Sequence, residues 1–178
     1  MTHRLFIAIR IKPNQKINEL LQYLEKFNST KTVEKENLHV NLKFLGDKNE
    51  EELKKAKEAL KKLEGFGKFK AKLTGTGAFP NKDFIKVIWI GVKSQRIEEL
   101  AERIEQAYTE KGFEKREKPY KPHVTAARVK TKPNPEIRKV FEQYDKHYKD
   151  TQVKEIELIE SELKKQEPVY KTIKKIKL

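Results

Sequence analysis

Two short segments each set an imidazole and a small hydrogen-bonding side chain two residues apart. His39 and Asn41 lie in ENLHVNLKFLG, residues 36–46, and His123 and Thr125 lie in KPHVTAARV. Apolar residues alternate through both, so each reads as a half-buried strand with Val40 and Leu42, or Val124 and Ala126, turned to the core. The polar pair on the other face is then about 7 Å apart along the strand. An imidazole titrates near neutral pH, so of two such rings one can accept a proton while the other donates one. That suits in-line attack on a phosphate diester, with a base on the nucleophile and an acid on the leaving oxygen. Asn41 and Thr125 could hold the non-bridging oxygens, and nearby Lys or Arg could stabilise the developing charge. His3 and His147 have no partner motif and read as ordinary surface or structural residues.

The elements that must position these residues follow from periodicity. Residues 3–11 read as a strand, and Ile17, Leu20, Leu21, Leu24 and Phe27 recur at helical spacing from Pro13 to about Asn28. NEEELKKAKEALKKL begins acidic and ends in lysines, which suits a helix dipole. Phe69, Ala71 and Leu73 alternate into GTGAFPNKD, a turn signal, and FIKVIWIGV is a β-rich run with the single tryptophan. Residues 95–111 are helical, a further helix is expected from about Asn134 to Asp145, and strand-like segments at about 148–164 and 169–177 close the chain.

A shift of 84, the separation of His39 and His123, lays this pattern on itself. Leu53, Ala56 and Leu60 fall on Ile137, Val140 and Tyr144, and Ile17, Leu20 and Leu24 fall on Ala101, Ile104 and Tyr108. Ile85, Trp89 and Val92 fall on Val169, Ile173 and Ile176. The expectation is one α+β domain spanning 1–178, with an internal duplication and one motif strand (36–46 or 120–130) in each of two pseudo-symmetric lobes. Antiparallel sheet, helices outside, and a central cleft between the lobes complete it.

Composition bounds the chemistry. The 178 residues carry a net charge of +14, which favours polyanion partners. Lysine supplies 34 of 41 basic residues and glutamate 23 of 27 acidic ones, the balance found in hyperthermophile proteins. Cysteine is absent, so disulfides and thiolate chemistry are excluded. Four aspartates (Asp47, Asp83, Asp145 and Asp150) and no HExxH give little material for a metal site, so no metal or cofactor is expected. Gly75 and Gly77 lack the third glycine and helix of a dinucleotide loop and read as a turn or bulge. No apolar run is long enough to span a bilayer, and a cytoplasmic monomer is the expectation.

The paired motifs resemble the two-histidine (2H) phosphoesterase superfamily, defined by two H-x-[S/T]-x motifs on duplicated lobes. NLHVNLKFLG, GAFP and PYKPHVTAARV are more narrowly similar to archaeal and bacterial RNA 2′,3′-cyclic phosphodiesterases, also called 2′-5′ RNA ligases. The resemblance implies metal-independent hydrolysis of a 2′,3′-cyclic phosphate at an RNA end to a 2′-phosphate, tRNA fragments being one candidate substrate. It also implies, for some members, reversible ATP-independent 2′-5′ joining. It makes His39 and His123 the catalytic pair, with His39 the proton donor, His123 the proton acceptor and Thr125 a phosphate ligand. Asn41 departs from the family pattern, standing where the first motif has threonine or serine; an amide can still donate to a phosphate oxygen.

Residues 114–132 hold seven basic and two acidic side chains. Arg116, Lys118 and Lys121 are candidates to track an RNA backbone. Arg128 is a candidate phosphate ligand, although strict alternation from His123 turns it away. Lys43, in phase with His39, is a second such candidate. Phe79, Tyr120 and, less favoured than core packing, Phe6 are candidate base-stacking platforms. The competing reading is a non-catalytic RNA or nucleotide binder on the same scaffold, with Asn41 as the mark of decay.

Overall fold

The computed structural model describes residues 2–164 and 168–178. The chain runs β1 (His3–Arg10), α1 (Gln15–Glu25), β2 (Thr30–Thr32), β3 (His39–Lys48), α2 (Glu50–Lys61), β4 (Phe69–Pro80) and β5 (Ile85–Lys93). It continues with α3 (Gln95–Thr109), β6 (His123–Val129), α4 (Val140–Gln143), β7 (His147–Val153), β8 (Glu155–Leu163) and β9 (Pro168–Lys177).

The helices start where the sequence offers caps. Asn49 accepts from the Glu52 amide while the Glu52 carboxylate accepts from the Asn49 amide, both at 2.9 Å, which closes a capping box on α2. Asn14 caps α1 through the Ile17 amide at 3.1 Å, and its amide group donates to the Tyr148 carbonyl at 2.9 Å. The helix expected over 134–145 is shorter than its periodicity suggests. A 3-10 turn, Pro135–Lys139, opens it, and only Val140–Gln143 is α-helical. The segment expected at 148–164 is two strands, β7 and β8, which lie at different places in the sheet.

Among the described residues nine strands join one antiparallel sheet in the order β7-β4-β5-β6-β3-β1-β8-β9, with β2 paired to β6. The helices cover one face. Ile17, Leu20, Leu53, Leu60, Leu100, Ile104 and Val140 pack with Leu5, Ile7, Ile9, Val40, Leu42, Ile88, Ile90 and Val124 in one core. On the helix-free face Phe6, Ala8 and Ile159 form a small separate cluster with Tyr170 against it. The sheet curls toward that face. Strands β3 and β9 are three places apart, about 14 Å in a flat sheet, yet the His39 and Tyr170 rings are 5.5 Å apart.

The motif strands do not face each other across separate sheets. They are neighbours, joined through the register pair Val40 and Val124. The two halves of the sheet meet at this seam. The half containing His123 uses β4 to β7, and the half containing His39 takes β1 and β3 from the start of the chain and β8 and β9 from its end. Under the shift of 84, β1, α1 and β3 fall on β5, α3 and β6. The third matched set is a correction: β5 lies beside a motif strand, whereas β9 lies at the sheet edge, so Trp89 and Ile173 do not occupy equivalent places.

The two glycines of TGTGAF have separate jobs. Gly75 has φ of 75° at a register shift of β4, a bulge that a residue with a side chain would strain. Gly77 lies opposite Trp89 in the β4–β5 register, and a methyl group there would overlap the indole. Gly77→Ala is therefore expected to cost about 1–3 kcal/mol by overpacking, lowering the thermal midpoint by about 2–4 °C per kcal/mol. Because Trp89 is the single tryptophan, its fluorescence emission should shift in the same variant.

Candidate active site

Both motif strands carry the same irregularity. Along β3 the burial runs half-buried His39, buried Val40, half-buried Asn41, then buried Leu42, buried Lys43 and exposed Phe44. Along β6 it repeats as His123, Val124, Thr125, Ala126, Ala127 and Arg128. In each strand the register slips one residue against its neighbour. Asn41 lies opposite Ala8 but Lys43 opposite Ile7, and Thr125 lies opposite Trp89 but Ala127 opposite Ile88. A bulge puts two successive side chains on the core face and returns the next one to the helix-free face.

This puts two of the expected phosphate ligands on opposite faces of the sheet. Arg128 comes back to the face of His123 and Thr125, opposite Val87 and exposed. Lys43 is turned away from His39, a correction to strict alternation. It is 5% exposed, and its ammonium donates to Glu105 at 2.7 Å and to the Glu114 carbonyl at 2.8 Å. Burial pushes the Glu105 carboxyl up, but the hydrogen bonds from Lys43 and the Arg116 amide, with their charges, hold it below the usual carboxylate range.

The imidazoles are held alike. His39 Nδ1 lies 2.6 Å from the Asn37 carbonyl and His123 Nδ1 lies 2.7 Å from the Lys121 carbonyl, each two residues upstream. A carbonyl only accepts, so Nδ1 carries a proton in either charge state and Nε2 is the atom that titrates. Burial is the main force lowering both pKa values below the ordinary imidazole value, opposed by these backbone bonds. For His39 the charges of Arg10, His123 and Arg128 add to the lowering; for His123 those of Lys121 and Arg128 do.

Aromatic rings wall both sites. His39 packs on Phe6 at 5.1 Å and edge-to-face with Tyr170 at 5.5 Å. His123 meets Phe79 edge-to-face at 4.8 Å, with Trp89 at 6.2 Å and the Lys121 ammonium 4.6 Å above the Trp89 ring. Two of the expected RNA-binding groups are engaged elsewhere. Tyr120 donates its hydroxyl to the Asn41 carbonyl at 3.0 Å. The Arg116 guanidinium stacks 4.7 Å from that ring and donates to the Leu42 carbonyl at 3.0 Å, so both side chains tie the segment before β6 to β3. Lys118 and Lys121 are exposed. His3 is a structural bridge, its ring nitrogens 2.8 Å from Glu50 and 2.6 Å from Glu160.

Arg10 and Tyr170 are neighbours of the site that the motifs do not indicate. Arg10 lies opposite His39 on β1, its guanidinium 3.3 Å from Glu157 and 3.2 Å from the Glu36 carbonyl. Its signal in the sequence was its phase, shared with Phe6 and Ala8. Tyr170 is brought in only by the curl of the sheet. Among the described residues no three His, Asp or Glu side chains group as metal ligands would, and no helix is long and apolar enough to cross a membrane.

A seam flanked by two carbonyl-locked histidines, under a curled helix-backed sheet, describes a class of phosphoesterase. Comparison with known proteins gives that class its family: residues 13–165 match the model of the 2'-5' RNA ligase superfamily, and the chain belongs to it. It is 39% identical over 175 residues to the RNA 2',3'-cyclic phosphodiesterase of Methanocaldococcus jannaschii, covering 96% of this chain and 98% of that one. It is 35% identical over 175 residues to the protein of the same name in Archaeoglobus fulgidus, with the same 96% and 98% coverage. Among solved structures it is similar to TT0787 of Thermus thermophilus, with a TM-score of 0.80, 30% identity and coverage of 98% and 97%. The E. coli LigT structure complexed with 3'-AMP, at 21% identity and a TM-score of 0.76 over 100% of this chain and 99% of that one, shares the fold.

Replacing Lys43 with alanine is expected to leave half-buried Glu105 with only the Arg116 amide and guanidinium as partners and to cost about 1–3 kcal/mol, measured by denaturant titration. Affinity for inorganic phosphate should not change. Lost phosphate affinity at intact stability would instead return Lys43 to the site.

Proposed function

We propose that this chain hydrolyses the 2′,3′-cyclic phosphate of RNA ends to a 2′-phosphate, by acid–base catalysis between His39 and His123. The observation that carries this reading is the matched pair of Nδ1 hydrogen bonds, which leaves two titrating Nε2 atoms beside one seam with Asn41 and Thr125 between them. His123 Nε2 takes a proton from water, the water oxygen bonds to phosphorus, and the 3′-oxygen leaves with the proton of His39 Nε2. Thr125 and Asn41 hold the non-bridging oxygens, and Arg128 meets the charge that develops on them. Lys121 and Lys118 guide the RNA backbone. The same reading takes residues 1–178 as one bilobal domain with an internal duplication at an offset of 84, supported by the identical burial order of 39–44 and 123–128.

The test is an RNA oligomer ending in a 2′,3′-cyclic phosphate, incubated with EDTA-treated protein. His39→Ala and His123→Ala should each lose about 10²–10⁴-fold in rate while RNA affinity changes little. Turnover retained in both variants would overturn the mechanism.

The pKa directions set a second expectation. One histidine must be protonated and the other neutral, so the pH profile is a bell. Both pKa values lie below 6.5 in the free protein, which centres the kcat/KM bell below pH 6.5. A bound phosphate anion favours the imidazolium forms, so the kcat bell should sit at higher pH. Initial rates across pH at low and saturating substrate would separate the two profiles.

A further inference from the structure

Among the described residues the buried polar ones are Ser29, Lys43, Thr76 and Glu157. Lys43 belongs to the brace with Glu105. Glu157 is the carboxylate of the set, 4% exposed, and the mechanism above gives it no part. It lies on β8 opposite Ala8, on the helix-free face, where Phe6, Ala8 and Ile159 form an apolar cluster. An apolar side chain would pack there without the cost of desolvating a charge. The partners that hold the charge in place lead to His39.

On one side Glu157 meets β9: it accepts from the Thr172 hydroxyl at 2.7 Å and lies 3.2 Å from the Lys175 ammonium. On the other it accepts from Arg10 Nε at 3.3 Å. A second nitrogen of the same guanidinium donates to the Glu36 carbonyl at 3.2 Å. Glu36 lies in the 3-10 turn Lys35–Asn37 that leads into β3, and the next carbonyl of that turn, from Asn37, is the one that meets His39 Nδ1 at 2.6 Å. Arg10 is also the ladder partner of His39. The guanidinium is therefore held between a buried acid and the turn that orients the imidazole.

Its charge reaches the ring as well. The charged or titratable groups around His39 are Arg10 on β1, Tyr170 on β9, and His123 and Arg128 on β6. Behind Arg10 stand Glu157 on β8 and Lys175 on β9. The cations disfavour the imidazolium form of His39, and Glu157 is the buried negative charge that opposes them.

We infer that Glu157 is a positioning residue for His39 and acts through Arg10: it fixes the guanidinium against the turn that holds the imidazole, and it offsets the charge that the guanidinium brings there. The part this plays in catalysis rests on the hydrolase reading. The hold on the ring does not.

The test follows the ring resonances of His39 and His123 by NMR across pH, in the ligand-free wild type, Glu157→Gln, Arg10→Gln and the double variant. The His39→Ala and His123→Ala proteins assign the signals. Glu157→Gln removes a negative charge and leaves Arg10 uncompensated, so the His39 midpoint should fall. Arg10→Gln removes a positive charge, so the midpoint should rise. With both gone it should lie between the two single variants. His123, across the seam, should move less than His39 in each protein. Arg10 is partly exposed, so Arg10→Gln carries the test if Glu157→Gln does not fold. An unchanged His39 midpoint in the folded single variants would overturn the inference, as would equal shifts at His39 and His123. In turnover of the cyclic-phosphate RNA, the limb of the kcat/KM bell that His39 sets should move in the same directions. Midpoints that shift as expected in a wild type that does not open the ring would remove the hydrolase reading and leave the hold on the imidazole standing.

Discussion

Two strands from distant parts of the chain share the register pair Val40 and Val124, and the geometry of the site hangs on that joint. By comparison β3 pairs with β1 over eight positions of β1, and β6 pairs with β5 at five. A sparse ladder at the seam leaves backbone groups free to meet something other than each other. It also needs reinforcement from outside the ladder. Tyr120 and Arg116, from the segment that leads into β6, donate to the Asn41 and Leu42 carbonyls of β3. Glu105 of α3 gathers the Arg116 amide at 2.8 Å and the Lys43 ammonium at 2.7 Å. The two strands are thus braced by side chains beyond their short shared ladder. The lysine and arginine that look available for a nucleic acid belong to that brace.

Charge at the site is arranged in layers. Arg128 is exposed on the face of His123 and Thr125, whereas Arg10, beside His39, is partly neutralised by the buried Glu157. Glu157 itself is pushed up by burial but held below the usual carboxylate range by Thr172, Lys175 and Arg10. An unpaired Arg10 would press harder on the imidazolium form of His39, so the carboxylate moderates the field there. The rest of the net charge of +14 is spread over exposed lysines, where salt screens it within about 10 Å. It acts on the approach of a polyanion more than on the reacting bond.

The parts of the fold that repeat at period 2 or 3.6 were legible in the sequence: the strands around both histidines, the helices α1, α2 and α3, and the matched helices of the shift by 84. What failed were the places where a period breaks. An extra residue just after Asn41 in β3 and one just after Thr125 in β6 reverse the facing of the side chains that follow, so Lys43 and Arg128 exchange the places that alternation gave them. The clue was present in the run of two small apolar residues, Ala126 and Ala127, but it has meaning only against a neighbouring strand. Tyr170 had no local signal, since its contact with His39 comes from curvature summed over four strands. Arg10 was in phase with Phe6 and Ala8, but β1 carries no motif to draw attention to it. Asn14 shows the same limit in a milder form, since its cap is local and its bond to Tyr148 is not.

The division of the sheet into halves also bears on the order in which the site is made. Apart from the short β2, already made by then, the half carrying His123 is drawn from one stretch, β4 to β7, and can close as that stretch leaves the ribosome. The half carrying His39 borrows β8 and β9 from the far end of the chain, with β1 pairing β8 across about 150 residues of sequence. During synthesis β1 and β3 therefore wait, with a long hydrophobic edge uncovered, until the last strands emerge. The wall that Tyr170 gives His39 arrives with them. Of the two motif histidines, the one translated first is the one enclosed later, once the strand that carries Tyr170 has been made.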